Sequence, residues 1–180
     1  MRLFIGIDLP PKIKVKLKHF QHKLKATGTN GSWKSKETFH ITLEFLGELQ
    51  EESVPILSEI LKQVASDKNK FRLMIEGLNA FPNIKRAHTL WADVKGDTDI
   101  LHQIRHEIHS ALIEKGFQVQ SSSFVPHITL LSRPRLAEQL PLLKKSAEFF
   151  VREIILFESK VIDHRREYPA IYKARLQGQF

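Results

Sequence analysis

The tetrapeptide His-Ile-Thr-Leu occurs twice in this 180-residue chain, as residues 40–43 and again as residues 127–130. Each copy lies in a short run rich in β-branched and aromatic residues and bounded by breakers, a pattern typical of β-strands. Side chains alternate between the two faces of a strand, so the polar residues of each copy should share one face and the apolar residues should face a core. The two polar faces predicted in this way carry His40 with Thr42 and His127 with Thr129.

The repeat has a structural and a functional interpretation. A single half-buried strand histidine is often satisfied by local hydrogen bonds and needs no catalytic role. Packing alone gives no reason to repeat a polar face, yet here histidine and threonine recur together about half a chain length apart. Histidine is also the side chain best suited to proton transfer near neutral pH. The matched pair therefore favours an acid–base site built from both copies.

The charge and composition of the chain limit which partners and which cellular compartment are plausible. Lys and Arg number 28 against 20 Asp and Glu, a net charge of +8, which favours a polyanionic partner, with a merely soluble basic surface as the alternative. The chain contains no cysteine, which excludes thiol and disulfide chemistry and suits a reducing cytosol. Its first apolar run, residues 2–8, is too short for a signal-peptide core, and no long apolar stretch follows. We therefore expect a cytoplasmic protein with no membrane association.

Apolar periodicity predicts a strand–helix–strand order in each half of the chain. Helices are predicted over residues 11–26, 51–66, 98–115 and 136–146. Beside the motif strands, strands are predicted over residues 2–8, 71–78, 89–94, 148–159 and 168–176. This order predicts an α+β fold with two pseudo-symmetric lobes, each an antiparallel sheet packed by helices. Because no linker is visible, we expect residues 1–180 to form a single domain.

Three histidines on one predicted helix offer an alternative, metal-based site. His102, His106 and His109 are spaced by four and three residues, so they are neighbours on a helix and their geometry would permit zinc or nickel. Each of them flanks the apolar stripe of that helix, however, and the glutamate of a His-Glu-x-x-His pattern is missing. We therefore expect neither a functional metal nor a cofactor.

The paired His-x-Thr-x motifs resemble those of the 2H phosphoesterase superfamily. More narrowly, they resemble its RNA 2′,3′-cyclic phosphodiesterases, which are also described as 2′-5′ RNA ligases. Leu131 stands where family members often carry a small residue. The resemblance implies the same bilobal architecture, with the motif strands facing each other across a central cleft. It extends to residues 2–8, the stretch 33–47, Phe81-Pro82, Thr89-Leu90-Trp91 and the stretch 124–133.

Two titratable groups that flank a bond suit acid–base displacement, in which one takes a proton from water and the other gives one to a leaving oxygen. The threonine hydroxyls can donate hydrogen bonds to non-bridging phosphate oxygens. A cyclic phosphodiester fits this arrangement because its leaving ribose alkoxide must be protonated. The residues alone do not show which histidine donates the proton and which accepts it, since the two motifs are nearly identical. The resemblance implies that His40 is the proton donor, that His127 activates the water and that the product is a 2′-phosphomonoester.

Three further residues are predicted to bind substrate. Arg133 follows the second motif and is expected at the cleft rim, where it could contact phosphate or RNA. Trp33 and Lys34 precede the first motif; Trp33 could stack on a base or belong to the core. The resemblance implies RNA with 2′,3′-cyclic phosphate ends as substrate, tRNA fragments among them, and we expect a monomer. Two other functions remain open: an RNA-end-binding module, and a phosphodiesterase acting on RNA 3′ ends or on a small cyclic nucleotide.

Overall fold

The computed structural model describes residues 1–121 and 123–178, and within them it contains a four-stranded and a five-stranded antiparallel sheet, a separate two-stranded hairpin and three α-helices. The elements, in chain order, are β1 Arg2–Asp8, α1 Pro11–Ala26, β2 Asn30–Trp33, β3 His40–Glu48, α2 Ser53–Ser66, β4 Phe71–Phe81, β5 Thr89–Gly96, α3 Thr98–Glu114, β6 His127–Arg135, β7 Phe149–Val151, β8 Glu153–Glu158, β9 Lys160–Ile162, β10 Arg165–Glu167 and β11 Ala170–Arg175. The first-lobe sheet has the strand order β11-β8-β1-β3, and the second-lobe sheet has the order β2-β6-β5-β4-β7. The predicted α+β fold of two lobes is confirmed.

The two lobes contain an internal repeat of strand, helix and strand with the same register. In the first lobe β1 pairs with β3, and in the second lobe β5 pairs with β6, both antiparallel. The matched pairs are Asp8 with His40, Gly6 with Thr42 and Phe4 with Phe45 in the first lobe, and Asp93 with His127, Trp91 with Thr129 and Thr89 with Ser132 in the second. The pseudo-symmetry therefore extends beyond the motifs to the strands beside them.

Each motif strand carries a β-bulge at the same point of the repeat. The register skips Leu43 on β3 and Leu130 on β6, in each case the residue directly after the motif threonine. An extra residue in one strand bends it and resets which side chains face which way. The residues that follow each threonine are therefore placed differently from what simple alternation predicts.

The helices of the repeat pack across the lobes. Helix α1 follows β1 of the first sheet but contacts β2 of the second, while α3 follows β5 of the second sheet and contacts β3 of the first. The predicted apolar stripe of α1 is buried, as is most of the stripe of α3. The predicted stripes were Ile13, Leu17, Phe20 and Leu24 on α1 and Leu101, Ile104, Ile108 and Ala111 on α3; on α3 the fourth buried residue is Leu112, and Ala111 is half-buried. Each of these helices thus packs on the sheet that does not contain the strand it follows.

The predicted helix over residues 136–146 is wrong. This segment forms neither helix nor named strand, because Pro141 interrupts it and its last residues bond to β4 instead. Gly77 of β4, at a positive φ of 90°, donates its N–H to the carbonyl of Leu143. Ser146 is tied to Ile75 by its main-chain N–H and by its hydroxyl oxygen. The main-chain groups of this segment therefore form hydrogen bonds with β4 instead of with each other in a helix.

The C-terminal strands also differ from the prediction. The single strand expected over residues 148–159 divides at Arg152 into β7, which pairs with β4 in the second sheet, and β8, which pairs with β1 in the first. A hairpin of β9 and β10, not predicted, follows and turns at Asp163 and His164, both at positive φ. Within residues 1–121 and 123–178, none of the helices is long and apolar enough to cross a membrane.

Candidate active site

His40 begins β3 and is held by its own strand and by aromatic rings. Its Nδ1 lies 2.7 Å from the carbonyl oxygen of Thr38, and its Nε2 lies 2.7 Å from Oγ1 of Thr42. A carbonyl can only accept, so Nδ1 carries the proton, and in the neutral ring Nε2 accepts from the Thr42 hydroxyl. The rings of Phe4 and Tyr168 pack at 4.9 and 5.1 Å from the imidazole. The tautomer and orientation of His40 are thereby fixed.

His127 begins β6 in an equivalent setting. Its Nδ1 lies 2.7 Å from the carbonyl oxygen of Val125, two residues earlier, as in the first motif. The rings of Phe81 and Trp91 pack at 4.9 and 5.5 Å from the imidazole. The contact with the carbonyl again assigns the proton to Nδ1 and leaves Nε2 as the basic nitrogen.

The two motifs line one cavity of about 860 Å³ between the lobes. His40, Thr42, His127 and Thr129 all contribute to its wall. Among the described residues that form this wall there is no Asp or Glu, whereas three cations are present: Arg2, Lys34 and Arg166. A concave, positively charged surface of this kind attracts anions. The cavity thus combines paired imidazoles and hydroxyls with a field that suits phosphate.

Burial lowers the pKa of both histidines. For His40 it is the largest cause, opposed by the hydrogen bond to Thr38 and assisted by repulsion from His127, and the pKa falls from 6.5 to about 4. The pKa of His127 is also lowered by burial, against the hydrogen bond to Val125. With the cavity free of anions, both imidazoles are therefore mainly neutral at pH 7, and protonation of one disfavours protonation of the other.

One side chain from α1 and one from α3 form hydrogen bonds with the two bulges. Gln21 of α1, fully buried, donates from Nε2 to the carbonyl of Leu130 at 3.0 Å and to that of Lys34 at 2.9 Å. Arg105 of α3 donates from Nε to the carbonyl of Leu43 at 3.4 Å. Each motif is therefore fixed directly after its threonine by the helix of the other repeat.

A buried ionic network surrounds the anchor of the first bulge. Glu44 is 4% exposed, and its carboxylate lies 3.4 Å from Nε of Arg105 and 3.0 Å from Nδ1 of His109. The Arg105 guanidinium also lies over the ring of Phe124 at 5.7 Å. The network joins α3 to β3 and so connects the two lobes behind Thr42.

The structure brings Lys34 into the cavity but places Trp33 and Arg133 outside its wall. Trp33 packs against the core, with Nζ of Lys25 5.0 Å from its ring centroid. Arg133 was expected at the cleft rim, but the register skips Leu130, and Ser132 lines the cavity instead. Arg133 has a φ of 49° and donates its main-chain N–H to the carbonyl of His88. The bulge is the physical reason for its displacement.

Several residues of the cavity wall were not predicted as site residues, among them Ser132, Arg2, Arg166 and Tyr168. Ser132 was hidden by the bulge, and Arg2 lies at the far end of β1 from the motif. Arg166 belongs to the unpredicted β9–β10 hairpin, and Tyr168 follows it to pack on His40. The sequence offered a signal for Arg2: it lies two residues before Phe4 on β1, and residues two apart share a strand face.

The three helix histidines lie apart from the cavity. His109 bonds to Glu44, His102 packs edge-on against the ring of Phe124 at 5.1 Å, and His106 is exposed. Among residues 1–121 and 123–178, no group of three or more His, Cys, Asp or Glu side chains is arranged to hold a metal ion.

Two antiparallel lobes that each contribute a histidine and a threonine to one cleft define the 2H class of phosphoesterases. The family described as LigT like Phosphoesterase matches residues 7–91. An RNA 2′,3′-cyclic phosphodiesterase of Aeropyrum pernix is 36% identical over 131 residues, 72% of this chain and 72% of the relative, and one of Thermotoga maritima is 32% identical over 130 residues, 72% and 68%. Escherichia coli LigT, solved in complex with 3′-AMP, is 25% identical, with a TM-score of 0.85 over 98% of both chains. The chain belongs to the LigT-like phosphoesterase family.

Proposed function

We propose that this phosphoesterase hydrolyses the 2′,3′-cyclic phosphate at the end of an RNA to a 2′-phosphomonoester. The observation that carries the proposal is the pair of imidazoles, each fixed through Nδ1 to a main-chain carbonyl, in one cavity whose described wall has cations and no carboxylate. The relatives in Aeropyrum pernix and Thermotoga maritima, both named RNA 2′,3′-cyclic phosphodiesterases, support the choice of substrate.

The reaction needs one proton acceptor and one proton donor. Neutral His127 accepts a proton at Nε2 from water as the water oxygen attacks phosphorus opposite O3′. The P–O3′ bond breaks, and protonated His40 gives its Nε2 proton to the leaving O3′. The hydroxyls of Thr42 and Thr129 donate hydrogen bonds to the non-bridging oxygens, where charge develops. The products are a 2′-phosphomonoester and a free 3′-hydroxyl, with one proton moved from His40 to His127 overall.

The surroundings of the two rings support this division of roles. Burial lowers the pKa of both rings; Asp8, which pairs with His40 in the sheet register, opposes that effect at His40, and the hydrogen bond to Val125 opposes it at His127. Thr42 already bonds to Nε2 of His40, and a bound phosphate anion would give that nitrogen a charged partner in its place. An anion beside a buried imidazole favours the imidazolium, so substrate binding converts His40 into the acid.

The test is incubation of an oligoribonucleotide ending in a 2′,3′-cyclic phosphate, followed by identification of the product. We expect a 2′-phosphate, and a loss of about a hundredfold or more in kcat/KM for His40→Ala or His127→Ala, the usual scale for acid–base groups. Because both act in one step, the double variant should be scarcely slower than the slower single variant. His106→Ala, exposed on α3, is the matched control and should retain full activity. Binding without turnover, or a 3′-phosphate product, would overturn the proposal.

A further inference from the structure

One end of the cavity carries two arginines and a tyrosine from the first lobe. Arg2 lies on β1, two residues before Phe4, and therefore on the strand face that Phe4 presents to His40. Arg166 comes from β10 of the exposed hairpin, and Tyr168 follows it. All three line the same cavity as the paired motifs. The Tyr168 ring is 5.1 Å from the His40 ring, so this end begins directly beside the catalytic motif.

Ser159 links the hairpin to β1 by contacting the guanidinium of Arg166 and the main chain of Arg2. Nη1 of Arg166 donates to Oγ of Ser159 at 3.1 Å, and the main-chain N–H of Ser159 donates to the carbonyl of Arg2 at 2.8 Å. Both guanidinium charges act on the phenol of Tyr168, where they oppose the rise in its pKa that burial causes. Both arginines therefore lie on the same cavity wall as Tyr168 and close enough to act on its phenol.

The charge of this cluster is not neutralised within the described residues. Neither Arg2 nor Arg166 forms an ion pair with a carboxylate of residues 1–121 or 123–178. The second-lobe side of the cavity differs, since it presents the hydroxyls of Thr89 and Ser132 and a single cation, Lys34, whose main-chain N–H donates to the carbonyl of Leu130. The cavity is therefore symmetric at its motifs and asymmetric at its ends.

We propose that Arg2, Arg166 and the Tyr168 hydroxyl form a second phosphate subsite, which binds the phosphate on the 5′ side of the terminal nucleotide. The inference rests on the proposed function, because an RNA that ends in a cyclic phosphate continues only in the 5′ direction. Two guanidinium groups and a hydroxyl are suited to the oxygens of a phosphodiester. The subsite makes the enzyme select oligonucleotide ends over cyclic mononucleotides and fixes the direction in which the strand enters the cleft.

The experiment compares two small substrates that differ in a single phosphate: adenosine 2′,3′-cyclic phosphate and the same compound carrying a 5′-phosphate. The readout is the ratio of their kcat/KM values. For the natural chain we expect the 5′-phosphorylated substrate to be favoured about tenfold, the scale of one charge-assisted contact. In Arg166→Ala or Arg2→Ala the ratio should fall towards one. Arg165→Ala, an exposed hairpin neighbour that does not line the cavity, should keep the natural ratio.

A binding measurement tests the phosphate subsite independently of the proposed hydrolytic function. Dissociation constants are measured calorimetrically for adenosine 2′-monophosphate and adenosine 2′,5′-bisphosphate, which need no turnover. A preference for the bisphosphate that Arg166→Ala abolishes supports the subsite even if no cyclic phosphate is hydrolysed, in which case the proposed function alone fails. If both ratios are the same in Arg166→Ala as in the natural chain, Arg166 does not distinguish the upstream phosphate and the subsite is refuted.

Discussion

Gln21 of α1 and Arg105 of α3 each donate a hydrogen bond to the carbonyl of the bulge residue in a motif strand, Gln21 to Leu130 of β6 and Arg105 to Leu43 of β3. The bulge residues, Leu130 and Leu43, directly follow Thr129 and Thr42. Each helix therefore anchors a motif strand in the lobe that does not contain the strand preceding that helix. Since each lobe depends on the other half of the chain, we propose that residues 1–180 unfold as one unit.

Replacement of Gln21 by Met should destabilise the protein by about 2 kcal/mol, because it leaves the buried carbonyls of Lys34 and Leu130 without their donor. The measurement is the midpoint of urea unfolding, with a single transition expected. Gln63→Met on α2, where an exposed amide bonds to Glu59, is the matched control and should change stability by less than about 0.5 kcal/mol. Equal midpoints for the two variants would contradict the anchoring role of Gln21.

Replacement of Arg105 by Met should cost about 3 kcal/mol or more, since it leaves the buried carboxylate of Glu44 with His109 alone. Adding Glu44→Leu to that variant removes the stranded charge and should recover a large part of the loss. Urea unfolding of both single variants and of the double variant measures the coupling. Strictly additive losses would show that the two side chains do not depend on each other.

The stability of the protein should fall as the pH is lowered from about 6.5 to about 4. The folded chain holds His40 with a pKa of about 4 against 6.5 when unfolded, so in this window the unfolded state binds more protons and is favoured. The loss of stability caused by His40 reaches about 3 kcal/mol below this window, and above the window there is no loss. The direction for His127 is the same.

Unfolding free energies from pH 4 to pH 8 test this dependence, with His40→Gln as the comparison because it removes the titrating ring. The natural chain should lose stability relative to this variant as the pH falls through the window. Parallel curves for the two proteins would show that His40 titrates normally in the folded state.

Hydrolysis of a cyclic phosphate should survive exhaustive chelation. The motifs supply an acid, a base and two hydroxyl donors, so the proposed steps need no further electrophile. Turnover is measured after prolonged treatment with a chelator and again after zinc or manganese is added. Activity that disappears with the chelator and returns with the metal would contradict the two-histidine mechanism.

The motif faces and the main helices could be predicted because they depend on local periodicity. His40 with Thr42, and His127 with Thr129, follow from strand alternation, and the stripes of α1 and α3 follow from helical spacing. Arg133 could not be placed, because the bulge at Leu130 arises from pairing with β5 and leaves no local signal. Arg166 was missed for a similar reason: the β9–β10 hairpin is short and exposed, and its turn lacks the usual glycine.

The assignment of His40 as acid and His127 as base is tested most directly with a substrate whose leaving O3′ is replaced by sulfur. A thiolate leaves without protonation, so the acid is no longer required, whereas the attacking water still needs its base. We predict that His40→Ala hydrolyses the 3′-thio cyclic substrate at close to the rate of the natural chain, while His127→Ala remains about a hundredfold slower or more. Rescue of His127→Ala instead of His40→Ala would reverse the roles, and rescue of neither would contradict acid–base catalysis by this pair.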